Sequence, residues 1–131
     1  MLRPRVLLAD DHAEFLKAEI ALLQTHFELV GTASDGVSLV SEAERLNPDV
    51  VVVDVTMPVM NGIDAVHKLK ASGSKVKVVF LTINNGEEFV NACLAEGARG
   101  FVWKSRMKAH LIPAIYAVLE DRPYISPLTY S

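Results

Sequence analysis

The sequence predicts an α/β fold: a doubly wound parallel sheet of five strands with five helices on its two faces. Three observations predict it. Short apolar, β-branched runs recur five times along the 131 residues. Four of the five are apolar at consecutive positions, which suits strands covered on both sides. The segments between them have helical spacing, so strand and helix alternate through the chain.

The elements follow in order. RVLLA (5–9) is the first strand, and the acids Asp10 and Asp11 end it. A helix is expected from about His12, with Leu16, Ile20, Leu23 and Phe27 stepping by four, three and four. ELVGTAS (28–34) is the second strand; Leu39, Ala43 and Leu46 mark the second helix. Asn47-Pro48 stops that helix, because the residue before a proline is pushed out of the α region. VVVVD (50–54) is the third strand and MPVMNG the turn that leaves it. Gly73 and Gly97 stand where the third and fourth helices should end, as glycines just past a helix do. KVVFLT (77–82) and GFVWK (100–104) are the fourth and fifth strands. Leu111, Ile115 and Val118 mark the last helix, with Pro113 inside it. An interior proline removes a backbone hydrogen bond, so this helix is expected to begin late, near Ile112, or to kink. The closing DRPYISPLTYS carries two prolines and reads as a tail or the start of a linker, giving a domain over 1–122 and a tail over 123–131. For five such units the flavodoxin-like order 2-1-3-4-5 is the commonest solution, and it places a ligand beyond the carboxyl ends of the strands.

Composition narrows the function. Half the residues are hydrophobic and 22% are charged, a globular balance. The net charge is −3 and no dense basic block appears, so nucleic acid is not expected to bind this domain itself. The single cysteine, Cys93, cannot form an internal disulfide, and it reads as a small core hydrophobe. No apolar stretch approaches the length of a membrane span, and the opening MLRPRVLLADDHAEF lacks the apolar run of a signal peptide. A cytoplasmic single domain is expected.

The strand ends carry the chemistry. A parallel sheet brings Asp10, Asp11, Asp54, Thr82 and Lys104 to one edge from almost the whole length of the chain. Each has a plainer reading: Asp caps helices, Thr favours strands and a lone Lys is usually solvated. Together they form three carboxylates, a hydroxyl and an ammonium. Clustered carboxylates resist ionising unless a cation joins them, and a hard ion with oxygen ligands points to Mg²⁺. Metal, cation, hydroxyl donor and carboxylate nucleophile are the parts of a phosphoryl-transfer site.

With these residues in place, the motifs LLADDH, SDG, NPDVVVVDVTMPVMNG, VVFLT and GFVWK resemble the receiver domain of bacterial two-component response regulators, over residues 4 to 122. The resemblance implies that Asp54 is phosphorylated from the phosphohistidine of a sensor kinase. It implies Mg²⁺ held by Asp10, Asp11, Asp54 and the backbone carbonyl of Thr56. Lys104 would bind the acyl phosphate and Thr82 would hydrogen-bond it, with Phe101 as the switch aromatic. The readout implied is the fourth helix, fifth strand and fifth helix, with a homodimer formed on phosphorylation. The tail resembles the junction leading to a helix-turn-helix output domain in LuxR-type transcription regulators. Such a domain catalyses its own phosphorylation and dephosphorylation and serves chiefly as a switch.

Three positions depart from the family's usual pattern. Ile83, where a small residue is usual, stands to obstruct the phosphate site; Ser105 replaces a common proline; Pro113 lies in the last helix. Trp103 falls on the same strand face as Phe101, as a core residue or an exposed anchor for a partner. His12, His26, His67 and His110 lack metal spacing and read as surface or capping residues. Two other classes compete: a phosphorylation-independent interaction module, and a phosphatase of the haloacid dehalogenase type. The phosphatase needs a second Asp where Thr56 stands.

Overall fold

Alternation along the strands sorts side chains to two faces, and that sorting builds two cores. A computed structural model describes residues 3–83, 91–93 and 95–126. Its strands are β1 (Arg5–Ala9), β2 (Glu28–Ala33), β3 (Val50–Asp54), β4 (Lys77–Thr82), β5 (Gly100–Trp103) and β6 (Tyr124–Ile125). They lie in the order β2-β1-β3-β4-β5-β6, and every pairing is parallel. The flavodoxin-like order expected from sequence is therefore found. The sixth strand was not expected, since it forms inside the stretch read as a tail. Two bonds hold it: the Tyr124 amide donates to Arg99 O at 2.8 Å and the Ser126 amide to Phe101 O at 2.9 Å. Residues 127–131 of that stretch lie outside the described residues.

β3 is the centre of the sheet and the residue-by-residue logic is clearest there. Val51 and Val53 pack towards α2 (Gly36–Leu46) and α3 (Gly62–Ala71), while Val50 and Val52 pack towards α1 (Ala13–Leu23) and the C-terminal helix (Met107–Leu119). All four valines are fully buried. Each contributes on the order of 1.5 kcal/mol or more by leaving water, so the strand that ends in Asp54 is firmly seated. Phe101 and Trp103 join the first of these cores and Val102 the second, as alternation requires.

Helix ends follow local chemistry. Asp35 caps α2 by accepting from the Ser38 amide at 2.7 Å, and Asn47 closes it in the left-handed region at φ 48°. Gly73 and Gly97 have φ of 91° and 83°, at the ends expected for the third and fourth helices. Residues 91–93 and 95 are helical. Phe27, counted with the first helix by its spacing, lies beyond the end of α1 and reaches the core from a turn, its ring 5.0 Å from that of Tyr116. The last helix corrects the expectation of a late start near Ile112. It begins at Met107, after a 3₁₀ turn over Lys104–Arg106, and runs through Pro113. The carbonyl that Pro113 cannot engage belongs to Ala109, and both residues are exposed, on the side of the helix where solvent can reach the orphaned acceptor. No cis peptide bond occurs among the described residues, Lys104–Ser105 included, and none of their helices is long and apolar enough to cross a membrane.

Candidate functional site

β1, β3, β4 and β5 bring Asp10, Asp54, Thr82 and Lys104 to the carboxyl edge, all nearly or fully buried. Lys104 is the hub. Its Nζ lies 2.9 Å from Asp10 Oδ2 and 3.3 Å from Asp54 Oδ2, with the Phe15 ring centroid 4.3 Å away. The Asp10 contact is an ion pair by distance, although that oxygen is not aligned for a hydrogen bond. The other oxygen of Asp54 accepts from the Thr56 amide at 3.1 Å, and Asp10 Oδ1 accepts from the His12 amide at 2.8 Å. Thr82 is buried at the end of β4, paired in register with Trp103; Asp54 stands opposite Leu81. Phe101 is wholly inside, edge-on to Trp103 at 5.0 Å and 86°. Trp103 is thus a core residue and not an exposed anchor. Ile83, by contrast, is 71% exposed.

Ligand atoms of Asp10, Asp11, His12 and Asp54 all lie within 4.8 Å of one another. Three carboxylates against one ammonium leave two negative charges, and the donors are mostly hard oxygens. This set suits a divalent cation of the Mg²⁺ type. Burial pushes the Asp54 carboxyl up to about 6; Lys104 opposes that rise and Asp10 adds to it. Burial also pulls the Lys104 ammonium down, but contact with Asp10 and the charges of Asp54 and Asp10 outweigh it and hold it above the ordinary lysine value.

The turn after Asp54 is built around one close approach. The Gly62 amide donates to Val55 O at 2.9 Å, and a Cβ on Gly62 would stand 2.3 Å from the Asp54 carbonyl oxygen and 2.6 Å from Val53 Cγ1. Gly62→Ala is therefore expected to displace the end of β3 and cost about 1–3 kcal/mol, read by urea unfolding. A variant as stable as the wild type would show that the turn yields freely. Val59, in the same turn, holds a φ of 67° that is unusual for a β-branched residue, with its side chain 84% exposed.

Sequence reasoning missed two residues. His12 was read as a surface or capping residue; it does stand at the N-cap of α1, but its ring Nδ1 also lies 3.3 Å from Asp10 Oδ1, 3.2 Å from Asp11 Oδ1 and 3.7 Å from Asp54 Oδ2. Its adjacency to two acids was the available signal. The other is Glu19, buried on α1. Burial first, then the charge of Asp10, push its carboxyl up to about 8, with Lys104 pulling the other way. His67 pairs with Glu96 at 2.9 Å and His110 meets Ser126 Oγ at 3.0 Å, away from the site.

Comparison with known proteins agrees with this geometry. The pattern of the response regulator receiver domain matches residues 6–116. The transcriptional regulatory protein DegU of Brevibacillus brevis is 34% identical over 125 residues, which cover 94% of this chain and 53% of the relative. The chain thus spans about half the length of the curated relatives it matches. The structure of a LuxR-family two-component response regulator from Aurantimonas sp. SI85-9A1 superposes with a TM-score of 0.90 at 29% identity, covering 95% of this chain and 91% of the other. The isolated receiver of RcsB from Salmonella enterica serovar Typhimurium, solved with the phosphomimetic BeF₃⁻, has a TM-score of 0.87 at 24% identity over 96% of this chain and 95% of its own, a likeness of fold. Buried acids at the mouth of a 2-1-3-4-5 sheet, a lysine bridging them and a family pattern spanning most of the sequence lead to one conclusion: the chain belongs to the response regulator receiver domain family.

Proposed function

We propose that this chain is the phosphoacceptor domain of a cytoplasmic two-component response regulator, and that Asp54 accepts a phosphoryl group from a phosphohistidine of a sensor histidine kinase. The observation that carries it is the buried Asp54 carboxylate held between Lys104 Nζ and the Thr56 amide beside two further acids. Asp10, Asp11, Asp54 and the Thr56 carbonyl would hold Mg²⁺. When bound, that ion supplies positive charge to the phosphoryl oxygens and lowers the repulsion among the carboxylates. The chain's own residues do the rest. An oxygen of Asp54 attacks phosphorus in line; the bond from phosphorus to the donor imidazole nitrogen breaks, and its electron pair leaves with that nitrogen. Lys104 offsets the charge gathered on the transferring group. Water later hydrolyses the mixed anhydride. Phosphorylation leaves roughly one and a half to two negative charges where Asp54 had one, and Thr82 and Phe101 are proposed to convert that change into a new surface. The output is read as transcription control, through a homodimer and a DNA-binding segment of the kind that LuxR-type regulators carry; DNA itself is not assigned to these residues.

Intact mass after incubation with acetyl phosphate tests the acceptor. A Mg²⁺-dependent adduct of one phosphoryl group is expected in the wild type and none in Asp54→Asn; an adduct that survives in the Asn variant would place the acceptor elsewhere. Ile83 follows Thr82 at the same edge, and Ile83→Ala is expected to speed both formation and hydrolysis of the adduct severalfold. Unchanged rates would leave that side chain without a role in access.

A further inference from the structure

The acidic cluster holds an aromatic nitrogen among its oxygens. Nδ1 of His12 lies 3.2 Å from Asp11 Oδ1, 3.3 Å from Asp10 Oδ1 and 3.7 Å from Asp54 Oδ2. Those oxygens come from the two residues after β1 and from the last residue of β3, so the ring meets every acid that the sheet gathers. Lys104 holds the buried side of the cluster through Asp10 Oδ2 and Asp54 Oδ2. His12 stands on the open side, its side chain half exposed where that of Asp10 is wholly buried. Local structure does not call for a histidine here. The residue occupies the N-cap of α1, yet its side chain makes no capping hydrogen bond, and Ser, Thr, Asp or Asn would serve the helix better. The bond that fixes this corner runs from the His12 amide to Asp10 Oδ1 at 2.8 Å and needs only a backbone N–H.

We propose that His12 sets the metal preference of the site: its Nδ1 ligates a first-row transition ion such as Mn²⁺, Fe²⁺ or Co²⁺ beside the carboxylates, which lets these ions compete with Mg²⁺. In the tautomer that carries its proton on Nε2, the ring presents a lone pair at Nδ1. Mg²⁺ takes oxygen ligands and gives up its waters reluctantly, so a neighbouring nitrogen adds little to its binding. Transition ions accept imidazole readily, and in the same cage of carboxylates they gain a ligand that Mg²⁺ does not use. The role rests on reading Asp10, Asp11 and Asp54 as a divalent-metal site.

Calorimetric titration with Mg²⁺ and with Mn²⁺ tests the proposal in the wild type, His12→Phe and His12→Ala, with thermal midpoints in EDTA to confirm folding. The Phe variant keeps a ring and removes the nitrogen; the Ala variant removes both. Each is expected to bind Mn²⁺ about tenfold more weakly, the lower end of the loss when even a supporting residue of a metal site is removed. Mg²⁺ affinity should stay within about twofold, because that ion keeps water in place of the ring. Electron spin-echo envelope modulation of the Mn²⁺-loaded wild type should show coupling to a ligated imidazole nitrogen, and both variants should lose it. Equal weakening of Mg²⁺ and Mn²⁺ would show that the ring serves the acids only as a hydrogen-bond partner, and it overturns the proposal. Unchanged Mn²⁺ affinity in a folded variant does so too, as does a wild-type spectrum without nitrogen coupling. In those cases Mg²⁺ binding by the wild type leaves the site reading standing. A wild type that binds neither ion overturns the site reading and the His12 role together.

Discussion

Lys104→Met is expected to slow acyl-phosphate formation by about two to three orders of magnitude, the usual loss when one buried donor to a developing charge is removed. Lys104 Nζ touches both Asp10 Oδ2 and Asp54 Oδ2, so its removal strips two buried carboxylates of their shared cation. Methionine keeps most of the apolar stem and loses the ammonium, with its contacts to Asp10, Asp54 and the Phe15 ring. The fold should suffer as well, by about 3–5 kcal/mol without metal, since one half of a buried ionic cluster is left uncompensated. Added Mg²⁺ should return part of that stability, since a divalent ion held by the same acids would lower their repulsion, but not the rate, since the ammonium that offsets charge on the transferring group is still missing. Single-turnover kinetics with acetyl phosphate, followed by mass, and urea unfolding in EDTA and in Mg²⁺ give both readings. A rate within threefold of the wild type would mean that Lys104 serves the resting fold alone.

Stability in EDTA is expected to fall by roughly 3 kcal/mol between pH 6 and pH 9, and Glu19 is the cause. The folded chain raises this carboxyl from 4.5 to about 8, so it holds the proton more tightly than the unfolded chain does. Its contribution is complete below pH 4.5, declines as pH rises, and is gone above about 8. Asp54 behaves in the same sense, but its window closes at about 6 and adds little above that. The Cys93 thiol, pushed up to about 12 by burial, does not ionise in this range. Glu19→Gln removes the titrating group and should flatten the profile over the same interval. A wild-type profile already flat from pH 6 to pH 9 would mean that Glu19 is held as a carboxylate in the folded chain.

The acids and the lysine were legible because strand ends are legible: a run such as VVVVD fixes both the depth of Asp54 and the edge at which it emerges. Trp103 was assigned to the face of Phe101 by alternation alone, and it lies there. Glu19 was not legible. The apolar residues counted on the first helix were Leu16, Ile20, Leu23 and Phe27, of which Leu16 and Ile20 are only partly buried, while a glutamate one position away from Ile20 is fully buried. Helical periodicity tolerates a shift of one residue, and a charged letter biases the reading towards solvent. Pro113 misled for a different reason. The cost of an interior proline falls on a carbonyl one turn earlier, and only the structure shows Ala109 open to water. The strand Tyr124–Ile125 is too short to carry a periodic signal, and its place is fixed by the exposed flank of β5.

That short strand changes how copies of the chain can meet. Without it the amides and carbonyls of Gly100 and Phe101 would form a template on which another polypeptide could add a strand, the usual beginning of uncontrolled sheet growth. Tyr124 and Ile125 occupy the template within the same molecule, and the Ser126 amide takes the Phe101 carbonyl. Any strand added on this side would have to pair with a two-residue edge in place of the longer β5, and a very short edge strand is one way a sheet blunts such pairing.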